Sequence, residues 1–127
     1  MRWWARPGRP DLRRPRADYA VAAAAALLAD EAGDVVHELG GPAFTFDDLA
    51  AAVTEVTGTR VVHRDVTVEQ YATELQAAGM DAGTAGFVAA LDASIAAGDL
   101  ETDSDDLAKL LGRPVTPLVE AVRAARE

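Results

Sequence analysis

The stretch 35–58, VVHELGGPAFTFDDLAAAVTEVTG, constrains this chain more than any other. Val35, Val36 and Leu39 make a short apolar run with β-branched members, which favour an extended, half-buried backbone. This predicts a strand over 35–39. Gly40, Gly41 and Pro42 then punctuate the chain. Thr45 is placed to cap a helix, because its hydroxyl can accept the Asp48 N–H while the Asp48 carboxylate accepts the Thr45 N–H. Phe44 and Leu49 bracket that cap as a hydrophobic staple. Leu49, Ala52, Val53 and Val56 recur at helical spacing, and Gly58 stands where a left-handed C-cap belongs.

Across 127 residues, half are hydrophobic, but many of these are alanine, which promotes helix and buries little area. One domain, or part of a larger one, is the expectation, with a core of modest size that needs a partner layer. The net charge of −9 is unevenly spread. Six arginines (2, 6, 9, 13, 14 and 16) face only Asp11 in residues 1–16, so residues 17–127 carry −14. Such an acidic body repels phosphate and argues against a nucleic-acid partner. It reads as a well-solvated surface. No cysteine is present, which excludes disulfides and thiolate chemistry and fits a reducing cytoplasm.

Residues 1–16 show no periodicity, hold both tryptophans, and predict no packed element. Two readings stay open, a disordered arm or a spurious leader before a domain that begins near Ala17. A third, an export signal, would use Arg13 and Arg14 before the Ala/Leu run 19–29, but Pro15, Arg16 and Asp18 interrupt that pattern. The run has eleven residues, too short to span a bilayer, so no membrane is expected.

From Ala17 onward the chain predicts alternating caps and stops. Asp18 caps an alanine-rich helix over 19–29. A second strand is expected over 60–66, so 35–39, 47–57 and 60–66 together form a strand–helix–strand pattern. Two strands alone make an unstable sheet, so further strands should lie beside them. Thr67 and Gln70 form a capping box before a helix reaching about Ala78. After a turn over 80–83, a longer helix over 84–97 carries Phe87, Leu91 and Ile95 on one stripe. Asp103 or Ser104 caps a short helix over 105–111, stopped by Gly112 and Pro114. Thr116 caps the last helix with Pro117 at its first position.

Chemistry-bearing motifs are few. Neither G-x-G-x-x-G nor G-x-x-x-x-G-K-[ST] occurs, and Gly40-Gly41-Pro42 has the wrong spacing and lacks a donor at proline. The Tyr-x-x-x-Lys pair of short-chain dehydrogenases is absent too, since Ala23 follows Tyr19 and Leu75 follows Tyr71 at that spacing. His37 and His63 both fall on expected strands, where they could be neighbours, but a metal site would need Glu38 or Asp65 as well. No metal and no catalytic residue is assigned. Asp103, Asp105 and Asp106 read as acids at a helix N-terminus. Met80 and Phe87 flank a glycine-rich turn, 79–86, and apolar side chains on such a junction suit the lid of a substrate pocket. They are the candidate substrate-binding residues, with ordinary core packing as the alternative.

The order of these pieces resembles the C-terminal part of the NmrA-like atypical short-chain dehydrogenases, NAD(P)H:quinone oxidoreductase type. The matching residues begin with Arg16-Ala17-Asp18-Tyr19-Ala20, then His37-Glu38-Leu39-Gly40-Gly41-Pro42 and the helix entered through 44–49. They continue with Arg64-Asp65-Val66, Glu69-Gln70-Tyr71 and Asp105-Asp106-Leu107. The last are Leu110-Leu111-Gly112-Arg113-Pro114 and Thr116-Pro117-Leu118. The resemblance implies an α/β fold: a helix-rich C-terminal portion of a Rossmann-like NAD(P)-binding fold with two short strands and about five helices. It further implies that residues 17–127 are the substrate-domain portion, without the Rossmann half whose glycine fingerprint holds NADP or NAD. No cofactor is then expected for this chain alone, and the fragment is expected to be inactive. In the intact enzyme the substrate is quinone-like. An exposed sheet edge would suit a partner chain. The alternatives are a non-enzymatic NmrA-like redox-sensing regulator and a stand-alone interaction module.

Overall fold

A computed structural model describes residues 2–5, 15–29 and 33–126, with only the backbone of 2–5. The chain divides into two units, each assembled from two separate segments. The first comprises residues 1–11 and 44–100, the second residues 12–43 and 101–127.

The first unit holds two strands and three helices. Strand β1 (Arg2–Ala5) pairs in parallel with β2 (Val62–Asp65), with Trp3 opposite His63. It falls in the arginine-rich stretch where no packed element is expected. A parallel partner sixty residues away leaves no mark in local periodicity. Strand β2 is shorter than the expected 60–66 but lies inside it.

Helix α1 (Arg16–Leu28), in the second unit, precedes α2 (Phe46–Thr57) in the chain. For α2 the expected start and stop are both present. The Thr45 N–H donates to Asp48 Oδ2 at 2.7 Å, and the Asp48 N–H returns to Thr45 Oγ1 at 3.1 Å. Gly58 takes a left-handed conformation, φ 71°, that a side chain would strain. Thr54 then ties this helix to the approach of β2, because the Val61 N–H donates to Thr54 Oγ1 at 2.9 Å.

Helix α3 (Val68–Ala77) carries the second capping box, Thr67 with Gln70. The Arg64 guanidinium reaches from β2 to Glu74 Oε1 on α3 at 2.8 Å. Helix α4 (Ala82–Ala97) begins two residues before its expected start, because the Asp81 carboxylate accepts the Thr84 N–H at 3.0 Å and caps it. Its buried face also differs from the expected stripe. Ala85, Ala89 and Ile95 are buried, whereas Phe87 is 68% exposed and Leu91 is exposed as well. Small side chains on this face let α3 and α4 pack closely, and close approach decides the matter over hydrophobic size.

The second unit packs α1 (Arg16–Leu28) on α5 (Asp106–Leu111) and adds α6 (Leu118–Ala124). Leu107 of α5 is fully buried. Helix α1 starts three residues before its expected start, with Pro15 at the N-cap position and no side-chain cap, so Asp18 does not cap it. Residues 35–39 form no strand. They belong to no regular element and have no ladder partner among the described residues, and Val36 is 86% exposed. The β-branched run is thus not enough to make a strand without a neighbouring strand to pair with, and the expected strand–helix–strand unit does not form. Instead the Glu38 N–H donates to Asp106 Oδ2 at 3.2 Å, and the Thr102 hydroxyl donates to Glu38 Oε2. Gly40 lies so close to Thr102 that a Cβ would overlap the Thr102 methyl group.

The capping geometry generates a stability prediction. Thr45→Ala removes the hydroxyl acceptor at the start of α2 and should lower unfolding free energy by about 1 kcal/mol. Urea denaturation of the two proteins, with an unchanged m-value, checks it.

Candidate functional site

Met80 and Phe87 both lie in the first unit, on and beside the start of α4. Met80 is half-buried at the α3–α4 turn, where its N–H donates to Leu75 O at 3.1 Å. Phe87 projects from the side of α4 opposite Ala85 and Ala89, since residues two apart on a helix differ by about 200°. The core alternative therefore fails for Phe87, whose ring is exposed. With Leu91 one turn on, it forms an apolar strip facing solvent. Such a strip suits contact with a flat apolar molecule or with further protein.

The other sequence candidates resolve into structural roles. His37 lies in the second unit, off any strand, while His63 lies on β2 in the first. The two histidines do not share a sheet, and among the described residues no cluster of metal-ligating groups forms. The His63 imidazole stacks on Phe46, with ring centroids 5.7 Å apart. Its nitrogens face Asp47 Oδ1 at 3.4 Å and Asp65 Oδ1 at 3.3 Å, which ties the first turn of α2 to β2.

The acidic loop before α5 is likewise occupied by its own chain. Asp105 pairs with Lys109, and Asp106 accepts the Glu38 N–H. The Ser104 hydroxyl, and then that N–H, hold the Asp106 carboxyl below its usual range. Ser104 also accepts the Asp106 N–H at 3.1 Å, but the N-cap position of α5 is held by Asp105, not by Asp103 or Ser104. The Gly40-Gly41-Pro42 turn offers no phosphate cradle. The Gly40 N–H is already given to Glu38 O at 3.1 Å, its Cα is closed off by Thr102, and Pro42 has no N–H. This turn therefore does not fit a dinucleotide pyrophosphate.

The most buried charged group is one that sequence reasoning assigned to another task. Asp18 is 1% exposed. Its Oδ1 accepts from Arg113 Nη2 at 2.7 Å and Thr116 Oγ1 at 2.9 Å, and its Oδ2 accepts the Thr116 N–H at 2.8 Å. Thr116 is accordingly not the cap of α6, which begins after Pro117. Burial pushes the Asp18 carboxyl up, but the Thr116 N–H, the Arg113 guanidinium and the Thr116 hydroxyl together outweigh it and hold the group below its ordinary value. Spacing of 95 and 98 residues hides this node from any local pattern.

The described elements form the helix-rich portion of a Rossmann-like α/β fold. Comparison with known proteins makes this specific. No family model matches the chain. It is 40% identical over 110 residues to quinone oxidoreductase 2 of Escherichia coli, covering 84% of this chain and 38% of that protein. It is 36% identical over 97 residues to agroclavine dehydrogenase of Claviceps fusiformis, covering 76% and 34%. The solved NADPH-dependent quinone oxidoreductase of Escherichia coli superposes with a TM-score of 0.88 at 32% identity, over 99% of this chain and 46% of that one. Its complex with NADPH gives 0.85 at 34% identity, over 99% and 45%. The triphenylmethane reductase of Citrobacter sp. gives 0.89 at 32% identity, over 98% and 44%. The resemblance to NmrA-like dehydrogenases of the NAD(P)H:quinone oxidoreductase type thus holds in sequence and in fold, and this chain spans less than half of each of these relatives. Among the described residues, no helix is long and apolar enough to cross a membrane.

Asp18 yields a prediction with a defined pH sign. Because its folded carboxyl sits below the ordinary 3.8, its contribution is fully present above that value and is lost as pH falls through the folded value. Asp18→Asn should cost about 1–3 kcal/mol at pH 7, the range for hydrogen bonds to a charged group, because Arg113 is half exposed and recovers water. The variant should also lose part of the acid sensitivity below pH 4. Urea melts at pH 7 and pH 3 measure both effects.

Proposed function

We propose that this chain is the C-terminal, substrate-side portion of an NAD(P)H-dependent quinone oxidoreductase, with residues 17–127 as the domain that covers the reacting end of the cofactor. The observation that carries this reading is the coverage. Almost the whole chain superposes on a quinone reductase while accounting for under half of it, and its Gly40-Gly41-Pro42 turn offers no phosphate cradle. The cofactor, NADP or NAD, would supply hydride when held by a Rossmann half. In that division of labour this chain binds and orients the acceptor, excludes water, and carries no hydride itself. Phe87 offers an exposed ring for a quinone to stack against, and Met80 lies at the turn that sets where α4 begins. A cysteine-free chain suits the cytoplasm, where we place it. The remaining half of the enzyme is the partner whose surface would cover the apolar strip of α4.

Alone, the chain should neither bind NADPH nor reduce quinone. A fluorescence titration with NADPH should show no saturation up to millimolar concentration, and quinone turnover should stay at background. Saturable micromolar binding, or measurable turnover by the 127-residue chain, would sink the reading. Phe87→Ala should leave stability within about 0.5 kcal/mol, since the ring is exposed. In a chimera with the dinucleotide-binding half of the Escherichia coli enzyme, the same change should raise KM for quinone while NADPH affinity holds.

A further inference from the structure

The most exposed aliphatic side chains among the described residues lie in the second unit, away from the α4 strip. Leu27 is 87% and Leu28 86% exposed at the C-terminal end of α1, and Val36 is 86% and Val35 49% exposed. All four fall within residues 12–43 of one unit. They also lie toward one end of it. Asp18, at the start of α1, is held by Arg113 and Thr116, which follow α5. Because α1 packs along α5, its far end lies toward the start of α5. The Glu38 N–H meets Asp106 at that same start.

The segment 35–39 offers open backbone as well as apolar side chains. Among the described residues, the N–H groups of Val35, Val36 and Leu39 donate to no acceptor. Open backbone beside β-branched side chains is a template for another strand. Glu38, the one acid of the segment, is already engaged by the Thr102 hydroxyl of its own chain.

We propose that this face pairs two copies of the chain about a two-fold axis, with residues 35–39 of each copy against those of the other and Leu27 and Leu28 beside them. A two-fold interface is self-complementary, so the apolar set meets its own likeness and no charge need be buried unpaired. Covering the four side chains on both copies removes on the order of 700 Å² of apolar surface from water. Homodimer interfaces are about 65% apolar, so the whole contact is roughly 1,100 Å². That just exceeds the roughly 1,000 Å² at which association becomes specific. The net charge of −9 on each copy works against it. The result is a reversible micromolar dimer, tightened by salt that screens the repulsion. It needs neither cofactor nor quinone, so it holds or fails independently of the reductase reading.

Sedimentation equilibrium of the full chain, from low micromolar to submillimolar concentration, should show one chain passing to two and no further. Added sodium chloride should tighten the dimer, and amide exchange at Val36 and Leu39 should slow as it fills. Val36→Asp should weaken it by roughly tenfold or more, since it sets two carboxylates at the join. Leu28→Gln should weaken it severalfold and serves where the Val36 variant fails to fold. Phe87→Ser, on α4, should leave it unchanged. A chain that stays monomeric throughout, association that runs on past two copies, or loss through Phe87→Ser with Val36→Asp and Leu28→Gln silent would overturn the proposal. So would weakening by salt, which is the signature of arginine-rich residues 1–16 binding an acidic body instead.

Discussion

The second unit depends on one buried carboxylate. Its two segments, 12–43 and 101–127, are joined by no short loop within the unit, so long-range contacts must hold them together. Asp18 provides the polar part of that closure, taking three hydrogen bonds from residues some 95 positions away. Leu107 provides the apolar part, fully buried in the helix that packs on α1. The two act differently. Burying Leu107 is worth about 2 kcal/mol but specifies little about direction. A buried carboxylate that must meet three donors allows few alternative registers, since an unpaired charge there is costly.

In the first unit, size complementarity does comparable work. Ala85 and Ala89 turn toward α3, and the larger Phe87 and Leu91 stay outside. Helices approach closely only where the side chains between them are small, so alanine wins the buried face although it buries less area per residue.

What could be read from the chain and what could not divides by distance along the sequence. The capping boxes at Thr45 and Thr67, and the stops at Gly58, Gly98 and Gly112, are formed by residues within a few positions of each other. They are legible because their donors and acceptors are local. Most misplaced elements turn on remote partners, the exception being α4, whose early start is set by the local Asp81 cap. Asp18 has the right chemistry for a cap, yet Thr116 and Arg113 claim it. Residues 35–39 have strand-forming side chains, yet Asp106 and Thr102 meet that segment instead of a neighbouring strand. Strand β1 pairs with residues sixty positions on, so no local rule finds it. At the candidate site, Phe87 was legible as apolar and near a glycine-rich turn. Its exposure was not, because periodicity reports which residues share a face and not which face is covered.

Exposure is where structure and the functional reading meet. The buried apolar residues include Ala22, Ala50, Ala52, Ala85 and Ala89, while Leu27, Leu28, Val36, Phe87 and Leu91 remain exposed. A chain folding solely for its own stability gains more by burying leucine and phenylalanine than alanine. Its larger apolar groups on the outside suit a domain that finishes its core against something else. That inversion is what the proposed function requires, since relatives with the same fold are more than twice the length of the matched region. Phe87 and Leu91 are the part of that exposed apolar surface carried by α4, one helical turn apart.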